Sequence, residues 1–476
     1  MPAFAEAAQD GRRWTWLAHA YGLLVAAVLG YFVLGLVIQV SDSFGNLLAV
    51  QEPTFGQVLR DQISQHGYLR PLLWGQIKAI YELSGGDYFL WFRGIHALQV
   101  VALMALCVHV MQPRTALEAA LVPLSLAVVV GAHTFMPMVR EAFPVNSFLT
   151  IAIACVAVFA VAQRARPRWY FDALAVALLA GSILTVESGM LVWVVAVAAY
   201  LVGMRGISRT ALIAMTVCIG VYMLGRMLIL DVGSPGLAER ASGFGFSTLE
   251  PADLVRRFEG RAWVFYTYNV VSSIATVLFA EPKGGVWRFV WELTTGTMHP
   301  WTVVSVMSST AATVLIGWFA WSRRASIRAW RLEPHDRLVI VFAGVLLANA
   351  AISFPYTKNV IMSPAGVFLG LAVYAASRAR LQAPQRYVAA TLVLFTVLTC
   401  GWAFRVVGIH YNLRRSAAEQ RAEWVTVDRW LDRQRILLRT ADAHALHDTL
   451  RRDALVNHPT PFQASTRWMR WFDIDW

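Results

Sequence analysis

The sequence predicts an all-α polytopic membrane protein with about 11 transmembrane helices. Three observations carry that prediction. Of 476 residues, 57% are hydrophobic and only 15% charged, with a mean hydropathy of +0.52; soluble domains carry about 25% charged residues. The apolar runs are long, and residues 16–40, WLAHAYGLLVAAVLGYFVLGLVIQV, suffice to cross a hydrocarbon core of about 30 Å. Basic residues also alternate from loop to loop in the way that fixes orientation in a membrane.

In chain order, spans are expected near 15–40, 89–111, 116–135, 147–163, 171–187, 188–203, 210–230, 302–322, 336–353, 360–376 and 387–409. The first is a retained anchor, because its apolar run is too long for a signal peptide and lacks a small-x-small cleavage site. Arg12 and Arg13 then flank it on the cytoplasmic side. With the N-terminus inside, the inside loops hold Arg114, QRARPR, MRGISR, SRRASIRAWR and SRARLQAPQR, whereas the short opposite loops hold mainly Arg140 and Lys358. Residues 262–281 are also apolar, but a crossing there would put SRRASIRAWR outside and reverse every later loop. That segment is therefore expected to lie on, or dip into, the outer face.

The expected layout is a transmembrane domain, 1–410, with outer-face loops 41–88 and 231–301, each carrying interfacial helices. A short helical C-terminal extension, 411–476, follows on the outer face; it is too short for a large core of its own. The expected location is the inner (plasma) membrane, multi-pass, with a cytoplasmic N-terminus and a periplasmic or extracellular C-terminus.

A net charge of +12 invites a nucleic-acid reading, but the basic residues are scattered among spans and only Lys78, Lys283 and Lys358 are lysines. No nucleic-acid partner is expected; the surrounding lipids are. Cys107, Cys155, Cys218 and Cys400 all fall in apolar runs, show no metal spacing and read as small buried residues. His96, His109 and His133 form no His-x-x-x-His pattern and read as buried and satisfied, so no metal site is predicted. Nothing in the sequence requires a cofactor, and the need for a divalent cation stays open.

In the first outer loop, Phe55, Val58, Leu59 and Ile63 recur at helical spacing opposite Gln57, Arg60 and Asp61, the pattern of an interfacial helix. A second helix starts at Pro71, with Leu72, Leu73, Ile77, Ile80 and Tyr81 on one face, and ends at Ser84-Gly85-Gly86. Asp42 directly follows the first span. It reads either as an ordinary helix-end acid or as a carboxylate fixed at the mouth of a cavity, able to take a proton from an acceptor hydroxyl. Arg70, between Tyr68 and Pro71, reads as a snorkelling arginine or as a planar fork for phosphate oxygens.

Further ionisable candidates follow. Arg140 and Glu141 sit together in MVREAFPVN, where they either pair at a helix end or serve a site. Glu187 lies where two spans meet with almost no loop, at a depth where charges are functional or paired. Arg226, in YMLGRMLILD, needs a partner, either Asp231 or an anionic ligand. Lys358 sits on a tight turn in FPYTKNVIMSP. Residues 231–251, rich in Gly and Ser, read as a mobile segment that could close over a substrate. The tail stretch AEQRAEWVTVDRWLDRQ reads as an amphipathic helix with Trp424, Val427, Trp430 and Leu431 on one side.

SDSFG, YLRPLLWGQIKAIYELSGG and FRGIHALQVVALMALCVHV, in that order, resemble the N-terminal region of GT-C glycosyltransferases that use lipid-linked sugars. The likeness is greatest to the branch of transmembrane O-mannosyltransferases and their bacterial relatives. LLAGSILTVESGMLVWVVAVAAYLVG is similar to a further stretch of that superfamily, although Val186 stands where a lysine is common. The resemblance spans residues 15–205. It implies a GT-C-like bundle with a cavity on the non-cytoplasmic face, a polyprenyl-phosphate-linked sugar as donor, and a glycan, lipid or protein acceptor. It makes Asp42 the candidate general base. Arg70, with Tyr68, Arg140, Glu141, Glu187, Arg226 and Lys358, becomes a candidate for the donor phosphate or for organising the site. No second carboxylate is evident beside Asp42, so direct displacement with inversion is expected. A transporter or flippase, or an envelope polysaccharide polymerase or ligase, remains the alternative; internal repeats would mark many transporters, and the Asp42/Arg70 loop is not repeated.

Overall fold

The computed structural model describes residues 2–64, 69–140, 147–229, 241–243, 246–281, 284–382 and 388–457. The first half contains α1 (Pro2–Leu34), α2 (Asp42–Gln51), α3 (Phe55–Ser64), α4 (Pro71–Leu83), α5 (Tyr88–Met111), α6 (Ala116–Gly131), α7 (Phe135–Arg140), α8 (Ser147–Ala162), α9 (Trp169–Ile183), α10 (Leu191–Leu201) and α11 (Arg209–Ile229). A short antiparallel pair, β1 (Ala241–Gly243) and β2 (Phe246–Leu249), precedes α12 (Pro251–Arg257), α13 (Ala262–Phe279), α14 (Val286–Thr295), α15 (Pro300–Ser322), α16 (Arg324–Arg328) and α17 (Pro334–Ile352). The chain closes with α18 (Ser363–Gln382), α19 (Val388–Val425), α20 (Val427–Gln434) and α21 (Ala441–Arg452). Eight helices among the described residues are long and apolar enough to cross a membrane, and four shorter apolar ones accompany them. The protein is an all-α polytopic membrane protein.

Local chemistry starts these helices where the sequence allows. Asp87 accepts from the Leu90 N–H at the head of α5, and Thr115 accepts from Glu118 at the head of α6. Proline occupies the first turn of α4, α12, α15 and α17, where its missing N–H costs nothing, and Glu333 with Asp336 closes a capping box on α17. The core is built around α18, whose apolar window is wholly buried. Its Gly366 and Gly370 let backbones approach, since a Cβ at either would lie 2.0 Å from Thr134 Oγ1 or 2.4 Å from Val129 Cγ2.

Contacts sort the loops to two ends. At one end the Thr15 hydroxyl donates to the Pro113 carbonyl, Gln163 to Val110, and Arg337 to Gly203, while Arg378 pairs with Glu118. The arginine-rich connections converge here. At the other end lie the 41–88 segment, the α6–α7 corner, the α17–α18 turn and the tail, tied by Ser363 to the Thr134 carbonyl and Gln420 to the Arg140 carbonyl.

Several elements differ from expectation. The first span ends at Leu34 rather than 40, and Val37, Ile38 and Val40 bury themselves against α4 and the tail. Asp42 therefore stands in the first turn of a separate helix, α2, not on the end of the first span. Helix α19 runs unbroken through residue 410 to Val425, so the C-terminal extension begins inside a continuous helix. Its Trp424, Val427, Leu431, Leu446 and Leu450 share one core with Phe44, Leu47, Leu73 and Ile77. Part of the 231–251 stretch is ordered: Ser242 accepts from Thr357 and donates to Pro355.

Helix α13 has the length and apolarity of a span and is one of the eight. Asn269 donates to the Phe354 carbonyl at the α17–α18 turn, and Leu278 accepts from Thr313, midway along α15. Gly284 lies against Trp301 and Ser305, at the start of α15. On α14 beyond it, Val286, Trp287, Val290 and Trp291 are exposed on one face, as suits a helix lying in an interface.

Candidate functional site

Glu187 is held between two arginines. The Arg70 fork grips it with Nη2 at 2.6 Å and Nε at 3.1 Å from Oε2, and Arg226 Nη1 lies 3.3 Å from Oε1. Side-chain exposure falls from 28% at Arg70 through 20% at Glu187 to 4% at Arg226. One carboxylate is thus shared by two guanidiniums, of which Arg70 is the more exposed. Tyr222, one turn before Arg226, places a buried hydroxyl within electrostatic reach of all three.

Three helices set this geometry. Pro71 begins α4 with Arg70 as the preceding cap residue, and the Leu72 N–H donates to the Leu184 carbonyl just past α9. That bond pins the first loop to the connection carrying Glu187. The connection is tight: Val186 N–H donates to the Ser182 carbonyl, and a Cβ on Gly189 would lie 2.3 Å from the Ser182 carbonyl carbon. Arg226 then reaches Glu187 from α11, which packs along α9. Arg226 thus pairs with Glu187; Asp231 lies outside the described residues.

Among the described residues, Asp42, Arg140 and Lys358 do not join this group. Asp42 is exposed on α2. Arg140 ends α7, where its carbonyl accepts from Gln420 of the tail helix. Lys358 is exposed on its turn, with Nζ 5.1 Å from the centre of the Tyr356 ring. Tyr68 and Glu141 lie outside the described residues.

The bundle interior holds two more arginines. Arg93, fully buried on α5, donates to the Val37 carbonyl and has no carboxylate partner among the described residues; His96, one turn later, contacts the Met138 carbonyl through Nε2 at 2.9 Å. Arg405, equally buried on α19, donates to Ser309 Oγ at 2.7 Å and lies 4.0 Å from the centre of the Trp402 ring. An arginine deep in the last apolar run is itself the signal for Arg405, which hydropathy averaging hides. Among the described residues no three His, Cys, Asp or Glu side chains gather into a metal-binding group. Cys107 and Cys155 are buried as expected, whereas Cys400 is exposed on the bundle surface.

Comparison of the chain with protein-family models, curated proteins and solved structures finds no match. The functional reading therefore rests on the residues.

Proposed function

We propose that this chain is a membrane glycosyltransferase that moves a sugar from a polyprenyl-phosphate donor to an acceptor hydroxyl on the non-cytoplasmic face. The observation that carries the reading is the clasp of Arg70 on Glu187. It joins the Arg-Pro-Leu element to the 178–203 stretch, two regions that carry the GT-C likeness, in one part-exposed charged group. Both lie at the end of the bundle that holds Asp42.

The chemistry follows from charge. As the glycosidic bond breaks, the departing polyprenyl phosphate gains negative charge, which a fixed guanidinium stabilises. Arg70 is the exposed member suited to meet it, with Glu187 and Arg226 holding its fork in place; Lys358 is a second phosphate candidate. Asp42, exposed and on a helix, takes the proton of the attacking acceptor hydroxyl, and direct displacement inverts the anomeric centre. The reading includes eleven crossings with α13 counted as a dip, a GT-C-like bundle in the inner membrane, a cytoplasmic N-terminus and a periplasmic or extracellular tail. The acceptor is a glycan, lipid or protein.

The test uses the purified full-length chain in lipid nanodiscs with a pool of polyprenyl-phosphate sugars, with and without a divalent cation. Mass spectrometry follows release of polyprenyl phosphate. Asp42→Asn is expected to slow transfer by about 10²–10⁴-fold, the contribution typical of a general base; unchanged transfer removes Asp42 from that role.

One observation favours a transporter or flippase instead: among the described residues Arg93 and Arg405 are buried with no carboxylate partner, and charges inside a bundle often mark a substrate or ion pathway. Flux of an anionic lipid lost in Arg405→Gln but untouched in Asp42→Asn, with no covalent transfer by the wild type, selects that reading.

A further inference from the structure

The end of the bundle opposite Arg70 and Glu187 carries a cavity of about 780 Å³, within the roughly 300–1,000 Å³ range of small-molecule sites. Its wall includes Arg164, Arg205 and Arg337, the aromatic rings of Tyr200 and Trp330, and Gln163, and no acidic side chain lines it. Four inter-helix connections form it, from the ends of α5, α8 and α10 and the start of α17.

Hydrogen bonds lock those connections together. Gln163 Nε2 donates to Val110 at 3.2 Å, the Gly206 N–H donates to Ala162 at 3.1 Å, and Arg337 Nη1 donates to Gly203 at 3.3 Å. Gly203 adopts φ +82°, and a Cβ at Gly206 would lie 2.0 Å from the Val161 carbonyl oxygen, so two glycines permit the close fit. The cavity is built into the resting fold.

Charge pairing on this face is uneven. Arg323 is matched by Asp336 and Glu333, and Arg378 by Glu118. Asp172 accepts from the Ser208 N–H, which leaves its charge in place, but it does not line the cavity. Arg164 instead lies 3.9 Å from the centre of the Phe171 ring, Arg337 holds only a backbone carbonyl, and no ion pair among the described residues neutralises Arg164, Arg205 or Arg337. Loop arginines that merely set topology need no cavity between them, and here the nearby carboxylates serve other partners. Three unneutralised guanidiniums around one recess favour a multiply charged anion, and their planar forks suit phosphate oxygens. Trp330, 60% exposed, and Tyr200 offer flat apolar surface beside them for the remainder of the ligand.

We infer that this cavity binds the phosphate group of a phosphorylated ligand, at a site separate from the Arg70–Glu187 group and independent of the activity proposed for it. The phosphate comes either from an anionic phospholipid headgroup or from a soluble phosphate ester. The experiment uses the full-length protein in nanodiscs of zwitterionic lipid, titrated with inorganic pyrophosphate by calorimetry. A parallel arm reconstitutes it with phosphatidylglycerol and counts retained lipid by native mass spectrometry. Arg337→Gln is compared with the double variant Arg164→Gln/Arg205→Gln, whose changed side chains are exposed. A soluble source predicts saturable pyrophosphate binding that weakens at least ten-fold in both variants and falls with salt. A lipid source predicts no pyrophosphate binding, but retained phosphatidylglycerol that both variants lose. If neither probe distinguishes wild type from the double variant, the site does not exist.

Discussion

Removing the Glu187 carboxylate takes a counter-charge from Arg226, whose side chain is only 4% exposed. Breaking a buried ion pair costs roughly 3–5 kcal/mol, and the partial exposure of Glu187 puts this case near the lower bound. Glu187→Gln should therefore destabilise the protein by about 3 kcal/mol, clearly more than Arg70→Ala, whose partner retains Arg226. Denaturation of the two variants in detergent measures this; equal effects would mean that Arg226 has a sufficient second partner. Gly189→Ala tests the geometry without altering charge. Its Cβ would collide with the Ser182 and Ile183 backbone, so the connection must shift at about 1–3 kcal/mol, and donor turnover should fall with it. Arg70, Glu187 and Arg226 each stand out in the sequence as charges beside apolar runs. Their meeting does not, because Arg70 and Glu187 are 117 positions apart and no local pattern encodes that distance.

At the scale of elements, hydropathy separates apolar from polar stretches but not lipid-facing from protein-facing ones. Residues 35–40 prolong the first apolar run, so the span was expected to reach 40, yet Val37, Ile38 and Val40 are covered by protein. Helix α13 has the apolar content of a crossing, whereas the arginine distribution, which samples the loops rather than the helix, favours a dip. Helix α14 carries a pH-dependent joint. Burial pushes the Glu292 carboxyl up, but hydrogen bonds from Arg288, the His299 N–H and Thr302 together hold it below its ordinary value of 4.5. A carboxyl depressed in the folded state stabilises above its unfolded value and loses that contribution as pH falls through the folded one. Hydrogen exchange at 286–302 should therefore quicken on acidification below 4.5 and stay pH-insensitive, beyond intrinsic exchange, in Glu292→Gln. Equal acid response in that variant assigns the joint elsewhere.

For the whole molecule, the tail acts as a brace on the first loop. Trp424 is fully buried, donates from Nε1 to the Ile38 carbonyl at 2.7 Å and packs on Phe44. Trp424→Ala should cost about 3–5 kcal/mol and open the 35–51 segment to protease while leaving α18 protected; unchanged cleavage there would separate tail from loop. The amphipathic pattern around Trp424 and Leu431 announced a buried face in the sequence, but its partner, the segment around α2, lies almost the full chain length away. The same brace ties Asp42, on α2, to the end of the bundle where Arg70 meets Glu187, and that shared end underlies the glycosyltransferase reading. Its most direct measurement is a mass-spectrometric comparison of surface glycans, glycolipids and glycoproteins from cells lacking the protein and cells complemented with wild type or Asp42→Asn. The predicted result is a glycan class lost on deletion, restored by wild type, and still missing with Asp42→Asn at normal expression. Glycan output that Asp42→Asn restores in full, or that deletion never changes, contradicts it.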